Sequence, residues 1–160
     1  MNATSVGSAH EVSALLNTLL ATDVTARELP EPGAVNEPQF IAVYANDAGA
    51  AVAVCSCSLP LAMYVGAALS MIPPRVAIEN AEKGVSSNEI VSNLHEVFNI
   101  CVNLAQSLGT GRLTLREVVA PGEPICAEVQ AILDTQTDRL VFEVEVDKYG
   151  TGIMALQRLS

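Results

Sequence analysis

From Ala48 to Pro74 the chain carries no charged side chain, and any fold it adopts must shelter that whole stretch. A run of this length can in principle cross a bilayer as one helix. Its internal order argues for two elements instead. GAAVAVCSCS (49–58) has the small and branched apolar residues of an alternating or fully buried strand. Ser58-Leu59-Pro60 then reads as a helix start, because proline is tolerated in the first turn where its missing N–H has no intrahelical acceptor. The apolar helix that follows must end before Pro73-Pro74. Strand, break and helix account for the run better than one span, so no membrane-spanning segment is expected.

The remaining pattern is that of one α+β domain over 1–160. Half of the 160 residues are hydrophobic but only 4% are aromatic, so the core must be built from Ala, Val, Leu and Ile. Residues 1–8 are small and polar and are read as frayed. Helical spacing of Val12, Leu15, Leu16, Leu19 and Leu20 predicts a helix over 9–21. A short strand is predicted over 23–30 and a Pro/Gly loop over 31–38. FIAVYA (40–45) and AAVAVCSC (50–57) flank Asn46-Asp47-Ala48-Gly49 and form a predicted hairpin. The 59–72 helix is followed by a polar connection around 79–87 and a long helix over 87–108. Ser86 or Ser87 caps that helix, and Gly109-Thr110-Gly111 ends it. Strands are predicted over 112–119, 125–133, 139–146 and 152–159. No repeat of fixed period is visible. Strands in hairpins with helices grouped between them imply a mainly antiparallel sheet with helices packed on one face.

The long helix carries the feature that points to function. Ser92, Glu96, Asn99, Asn103 and Gln106 recur at spacings of four, three, four and three, which stacks them in a line on one face. Ile90, Leu94, Cys101, Ala105 and Leu108 occupy the opposite, core-facing side. Solvated helix faces usually mix Lys, Arg and Glu, yet no Lys or Arg occurs between Lys83 and Arg112. Asparagine is a poor helix-interior residue because its amide competes for the backbone. Two of them in one line ask for recognition or chemistry on that face; the plain alternative is a merely wet surface. His95 lies about 100° round the helix from Glu96 and is read as exposed or half-buried.

Charge and cysteine usage narrow the function classes. A formal charge of −10 repels phosphate backbones and anionic lipid, so neither nucleic acid nor a membrane surface is an expected partner. A partner patch containing lysine fits better. Cys55, Cys57, Cys101 and Cys126 occur without a signal-peptide pattern at the N-terminus, so reduced thiols and a cytoplasmic setting are expected. Cys55 and Cys57 point to one face of a strand, poor geometry for a mutual disulfide. Packing is their simplest role; a metal site would need ligands beyond His10 and His95. A P-loop reading of Gly109 and Gly111 fails because no Gly-Lys-Ser/Thr follows.

Ser92-x-x-x-Glu96-x-x-Asn99, with Pro121 after 21 intervening residues, resembles the motif of the CheC/CheX/FliY family of bacterial chemotaxis phosphatases. The order of elements is similar over most of the chain. A single Glu-x-x-Asn motif makes the single-motif, CheX-like members the nearest in pattern. Two details depart from that pattern. The proline falls about one residue early, and Asn103 stands where members commonly have a small Gly or Ala soon after the Asn. Asn103 would either obstruct a docked partner or add a contact.

The resemblance implies a fold of CheC/CheX type and an activity: hydrolysis of the aspartyl phosphate on a CheY-like response-regulator receiver domain. It implies that Asn99 orients the attacking water and that Glu96 pairs with a lysine of the receiver. Ser92, Asn103 and Gln106 are then partner-binding positions. No cofactor is expected on this chain; the Mg²⁺ belongs to the partner receiver. Single-motif members tend to be homodimers, so a homodimer is expected. The alternatives are a non-catalytic adaptor of the same fold that docks a receiver or flagellar-switch partner, and an unrelated dimeric module whose polar line is only solvated.

Overall fold

The architecture is seen in a computed structural model that describes residues 3–20, 22–30, 38–84, 87–107, 109, 111–134 and 139–159, with the side chains of α1 described from residue 9. Its elements are α1 (Ala3–Leu19), β1 (Val24–Glu28), β2 (Gln39–Ala45), β3 (Ala51–Ser58), α2 (Leu59–Leu69), α3 (Pro74–Lys83), α4 (Asn88–Ile100), α5 (Val102–Gln106), β4 (Thr114–Val119), α6 (Ala127–Leu133), β5 (Arg139–Val146) and β6 (Gly150–Arg158). The six strands form one antiparallel sheet in the order β1-β5-β6-β3-β2-β4. This is the α+β class expected from the sequence.

The uncharged stretch divides as predicted. β3 is buried along almost its whole length at the centre of the sheet, and α2 follows directly, with Pro60 in its first turn. No helix among the described residues is long and apolar enough to cross a membrane. The β2–β3 hairpin forms because Asn46 satisfies its own turn: its Oδ1 accepts from the N–H groups of Ala48 and Ala50. Alternation then sorts the two faces. Phe40, Ala42, Tyr44, Ala53, Cys55, Cys57, Phe142, Val144, Met154 and Leu156 join one cluster with Val12, Leu16 and the apolar sides of α2, α4 and α5. Ile41, Val43, Val54 and Val119 point the other way and pack under Val129 and Ile132 of α6.

Five expectations are corrected. The apolar helix predicted over 59–72 stops at Leu69, and the polar connection of 79–87 is instead mostly α3. Pro73-Pro74 ends one helix and starts the next: Pro74 is the first residue of α3 and Gly84, at φ 68°, closes it. The segment 125–133 is the helix α6 rather than a strand, because Val129 and Ile132, three apart, bury one helical face. Ala127, Glu128 and Gln130 are good helix formers, which outweighs the β-branched residues that suggested a strand. The single helix over 87–108 is two, α4 and α5, broken at Cys101, and Leu108 lies outside the described residues. The N-terminal helix also begins earlier than expected, at Ala3, as extension of a formed helix is cheap. The 31–38 loop falls outside the described residues except for Pro38.

The strand order hides an internal two-fold. Read inwards from either edge it runs β1, β5, β6 and β4, β2, β3. Each edge strand follows a helix, α1 or α5, and each pairs with the hairpin of the other half of the chain. The two helix–strand corners are clamped alike. Asn17 Nδ2 donates to the Val24 carbonyl at 2.7 Å while its Oδ1 accepts from the Val24 N–H at 2.9 Å. Gln106 Oε1 accepts from the Leu113 N–H at 2.9 Å.

Candidate functional site

The α4 helix is fixed before it is functional. Ser87 caps it, its hydroxyl accepting from the Ile90 N–H at 3.2 Å. Glu89 in the first turn complements the positive end of the helix dipole. Ile90, Leu94, Val97 and Phe98 are fully buried along one side. Asn93 ties the flank to α2, donating to the Gly66 carbonyl at 2.9 Å and the Ser70 hydroxyl at 2.8 Å. The two helices touch backbone to backbone at Gly66, where an added Cβ would stand 2.6 Å from the Ile90 carbonyl oxygen. At the far end the buried Tyr44 hydroxyl donates to the Phe98 carbonyl at 2.7 Å, beside the break at Cys101.

On this scaffold Ser92, Glu96 and Asn99 all stand exposed on α4, with His95 also exposed beside them. Among the described residues neither the Glu96 carboxylate nor the Asn99 carboxamide has a hydrogen-bond or ion-pair partner. The predicted line does not run on unchanged. Asn103 is exposed on α5, beyond the break, and borders a groove against Glu11, Ala14, Leu15 and Thr18 of α1. Gln106 is half-buried, and its side-chain oxygen is already engaged by Leu113. The structure therefore brings Ser92, Glu96 and Asn99 together, places Asn103 at the seam with α1, and gives Gln106 a structural bond.

The electrostatics are one-sided. None of α1, α4 and α5 carries a Lys or Arg, while Glu11, Glu89 and Glu96 are exposed on them. Such a face attracts a basic surface and repels an acidic one. Pro121, the last member of the motif, lies in the turn after β4, where the Glu123 carboxylate accepts from the Ala120 N–H at 2.8 Å.

Beneath the break lie thiols and a phenol. Cys55, Cys57 and Cys101 are free and buried, as packing predicts. A hydrogen bond with Cys55, together with burial, pushes the Cys101 thiol well up, so it stays protonated and inert as a nucleophile. Burial likewise raises Tyr44, keeping the proton it donates. Among the described residues no group of three His, Cys, Asp or Glu side chains is placed to hold a metal ion.

Sequence reasoning missed Tyr44 and Asn93. Asn93 sits off the polar line on a helix, and its amide in a helix interior was a signal of the same kind as the line itself. Tyr44 gave none, because its acceptor lies 54 residues away in sequence.

No family model and no curated protein matches the sequence. Solved structures match the fold. The chain is similar to the FliM middle domain of Vibrio alginolyticus at a TM-score of 0.63 and 9% identity, covering 98% of this chain and 90% of that one. It is similar to a chain of the FliG–FliM complex of H. pylori at a TM-score of 0.57 and 10% identity, covering 98% and 90%. It is also similar to a chain of the CheX–CheY–BeF3–Mg²⁺ complex of Borrelia burgdorferi at a TM-score of 0.56 and 12% identity, covering 98% and 96%. The fold that the motif resemblance implied is the fold observed.

Proposed function

We propose that the chain is a phosphatase acting on the aspartyl phosphate of a CheY-like receiver domain, with α4 as the element that enters the receiver's site. The observation that carries this reading is the pair Glu96 and Asn99: one helical turn apart, outward, without a side-chain partner among the described residues, and on a helix locked at both ends. The receiver brings the phosphoryl group, a divalent cation and a lysine, so a phosphatase needs to supply little beyond position.

Asn99 supplies it. Its carboxamide oxygen accepts a hydrogen bond from water and its NH₂ donates, which fixes the water's lone pair toward phosphorus. The water oxygen bonds to phosphorus as the bond to the aspartyl oxygen breaks. The receiver's Asp recovers its carboxylate, and inorganic phosphate leaves with the protons of the water shared between it and solvent. Glu96 pairs with the receiver's lysine and sets the register of docking; it is a positioning residue here, because a loose phosphoryl transition state asks for little early proton removal. Ser92 lies one turn earlier on the same exposed face and is suited to a contact at the edge of that interface.

A second reading is favoured by the FliM-like neighbours: a docking module of the same fold that binds a receiver or switch partner without hydrolysis. Loading candidate receivers with a small phosphodonor and timing phosphate loss separates the two. A shortened phosphate lifetime that returns to the spontaneous value with Asn99→Ala supports catalysis. Binding with no change in lifetime selects the docking module. We propose further that the protein acts as a homodimer in the cytoplasm; light scattering that returns a monomer mass contradicts the first part.

A further inference from the structure

The α4 face does not end at Asn99. One turn on, Asn103 forms the rim of a groove of about 360 Å³ between α5 and α1, bordered by Glu11, Ala14, Leu15, Thr18 and Leu104. Its floor is apolar: Leu104 is 5% exposed and Leu15 is half-buried against the core. Ala14 is exposed, so the wall on the α1 side is low and open. The Thr18 hydroxyl is turned back onto the Ala14 carbonyl at 2.9 Å, which leaves the groove little polar demand of its own. At its rim stands Glu11, exposed, its carboxylate, like the Asn103 carboxamide, without a hydrogen-bond or ion-pair partner among the described residues.

We propose that α1 forms the second wall of the docking surface: the groove receives one apolar side chain of the receiver, and Glu11 pairs with a Lys or Arg next to it. This rests on the reading of Glu96 and Asn99 above and adds the residues that select the receiver. Two observations favour a receiver as the occupant. The groove adjoins the proposed α4 face, because its rim residue Asn103, on α5, follows Asn99 by four residues across the break at Cys101. The charge suits a basic patch as well, because α1 and α4 expose Glu11, Glu89 and Glu96, and none of α1, α4 and α5 carries a Lys or Arg. An apolar anchor flanked by a charge pair is a common way for an interface to combine affinity with register. Asn103 lines one side of the groove and so bears on which anchor fits.

The test uses the full chain and its cognate receiver loaded with beryllium fluoride and Mg²⁺, which mimics the phosphorylated state. Ala14→Trp fills the groove from an exposed position, and Glu11→Lys reverses the rim charge. We expect Ala14→Trp to raise Kd, and the KM for phospho-receiver, by roughly tenfold or more, with kcat within about twofold. Glu11→Lys should raise Kd severalfold at low salt, with the difference fading at high salt. Circular dichroism and thermal melts identical to wild type show that the effect is on docking. Wild-type Kd in both variants overturns the inference while leaving the Glu96–Asn99 reading intact. A wild-type protein that binds no receiver at all overturns both.

Discussion

Two residues decide whether α4 is chemistry or surface, and a third holds it in place. Asn99→Ala removes an exposed carboxamide that makes no hydrogen bond among the described residues, so stability should be unchanged to within about 0.5 kcal/mol while any catalytic effect disappears. Tyr44 is the reverse case. Its hydroxyl satisfies the buried Phe98 carbonyl at 2.7 Å, and Tyr44→Phe leaves that oxygen without the bond. We expect a loss of about 1–3 kcal/mol in urea unfolding, with the first cooperativity lost around α4 and α5. An unchanged midpoint would show that water or a backbone shift replaces the hydroxyl. The sequence exposed Glu96 and Asn99 because spacing along one helix is local information. Tyr44 was illegible because its role depends on a strand and a helix meeting in space.

At the scale of elements, most was legible where periodicity and capping agreed. Val12 and Leu16 placed α1, Asn46 placed the hairpin, and Ser87 placed the start of α4. Reading failed where one residue serves two elements or two tendencies compete. Pro73-Pro74 looked like an ending and is also a beginning, and α6 was obscured by its own Ile and Val. The break at Cys101 had no marker, since neither Gly nor Pro is present; it is held by tertiary bonds to Tyr44 and, on α5, by Arg158 Nη1 donating to the Ala105 carbonyl at 3.2 Å. The contact of α2 with α4 yields a prediction with competing signs. Gly66→Ala would ordinarily favour an exposed helix by about 1 kcal/mol. Here the methyl meets backbone oxygen at 2.6 Å, so overpacking wins and the variant should be destabilised by about 1–3 kcal/mol or more. A melting temperature at or above wild type would contradict the packing described.

The whole molecule adds what neither residues nor elements reveal. The two-fold order of the sheet leaves no residue repeat, because the halves share topology and corner clamps rather than sequence. Each half supplies the edge strand of the other, so the sheet closes only through long-range pairings. On the other face of the sheet, α6 is tied down by apolar packing, by Gln157 Nε2 donating to the Ile132 carbonyl at 3.0 Å, and by a carboxylate. Glu128 accepts from the Arg116 guanidinium at 2.8 Å and from the Ala51 N–H at 2.7 Å, joining α6, β4 and β3. Those bonds, the Arg116 one first, hold its pKa below the usual carboxylate value. A depressed folded-state pKa contributes stability at pH above the unfolded value of about 4.3, and that contribution is lost as pH falls through the folded value. Glu128→Gln should therefore flatten the acid limb of stability against pH below about 4.3 relative to wild type. Parallel acid limbs for the two proteins would show that the bridge adds nothing. The central claim, however, concerns the opposite face, and it is tested most directly by the decay of a cognate phospho-receiver at increasing concentrations of this protein. The decay rate should climb to a plateau at least about tenfold above the spontaneous rate and should stay at the spontaneous rate with Asn99→Ala, although that variant still binds. A flat response from the wild-type protein, at concentrations where binding is complete, would contradict it.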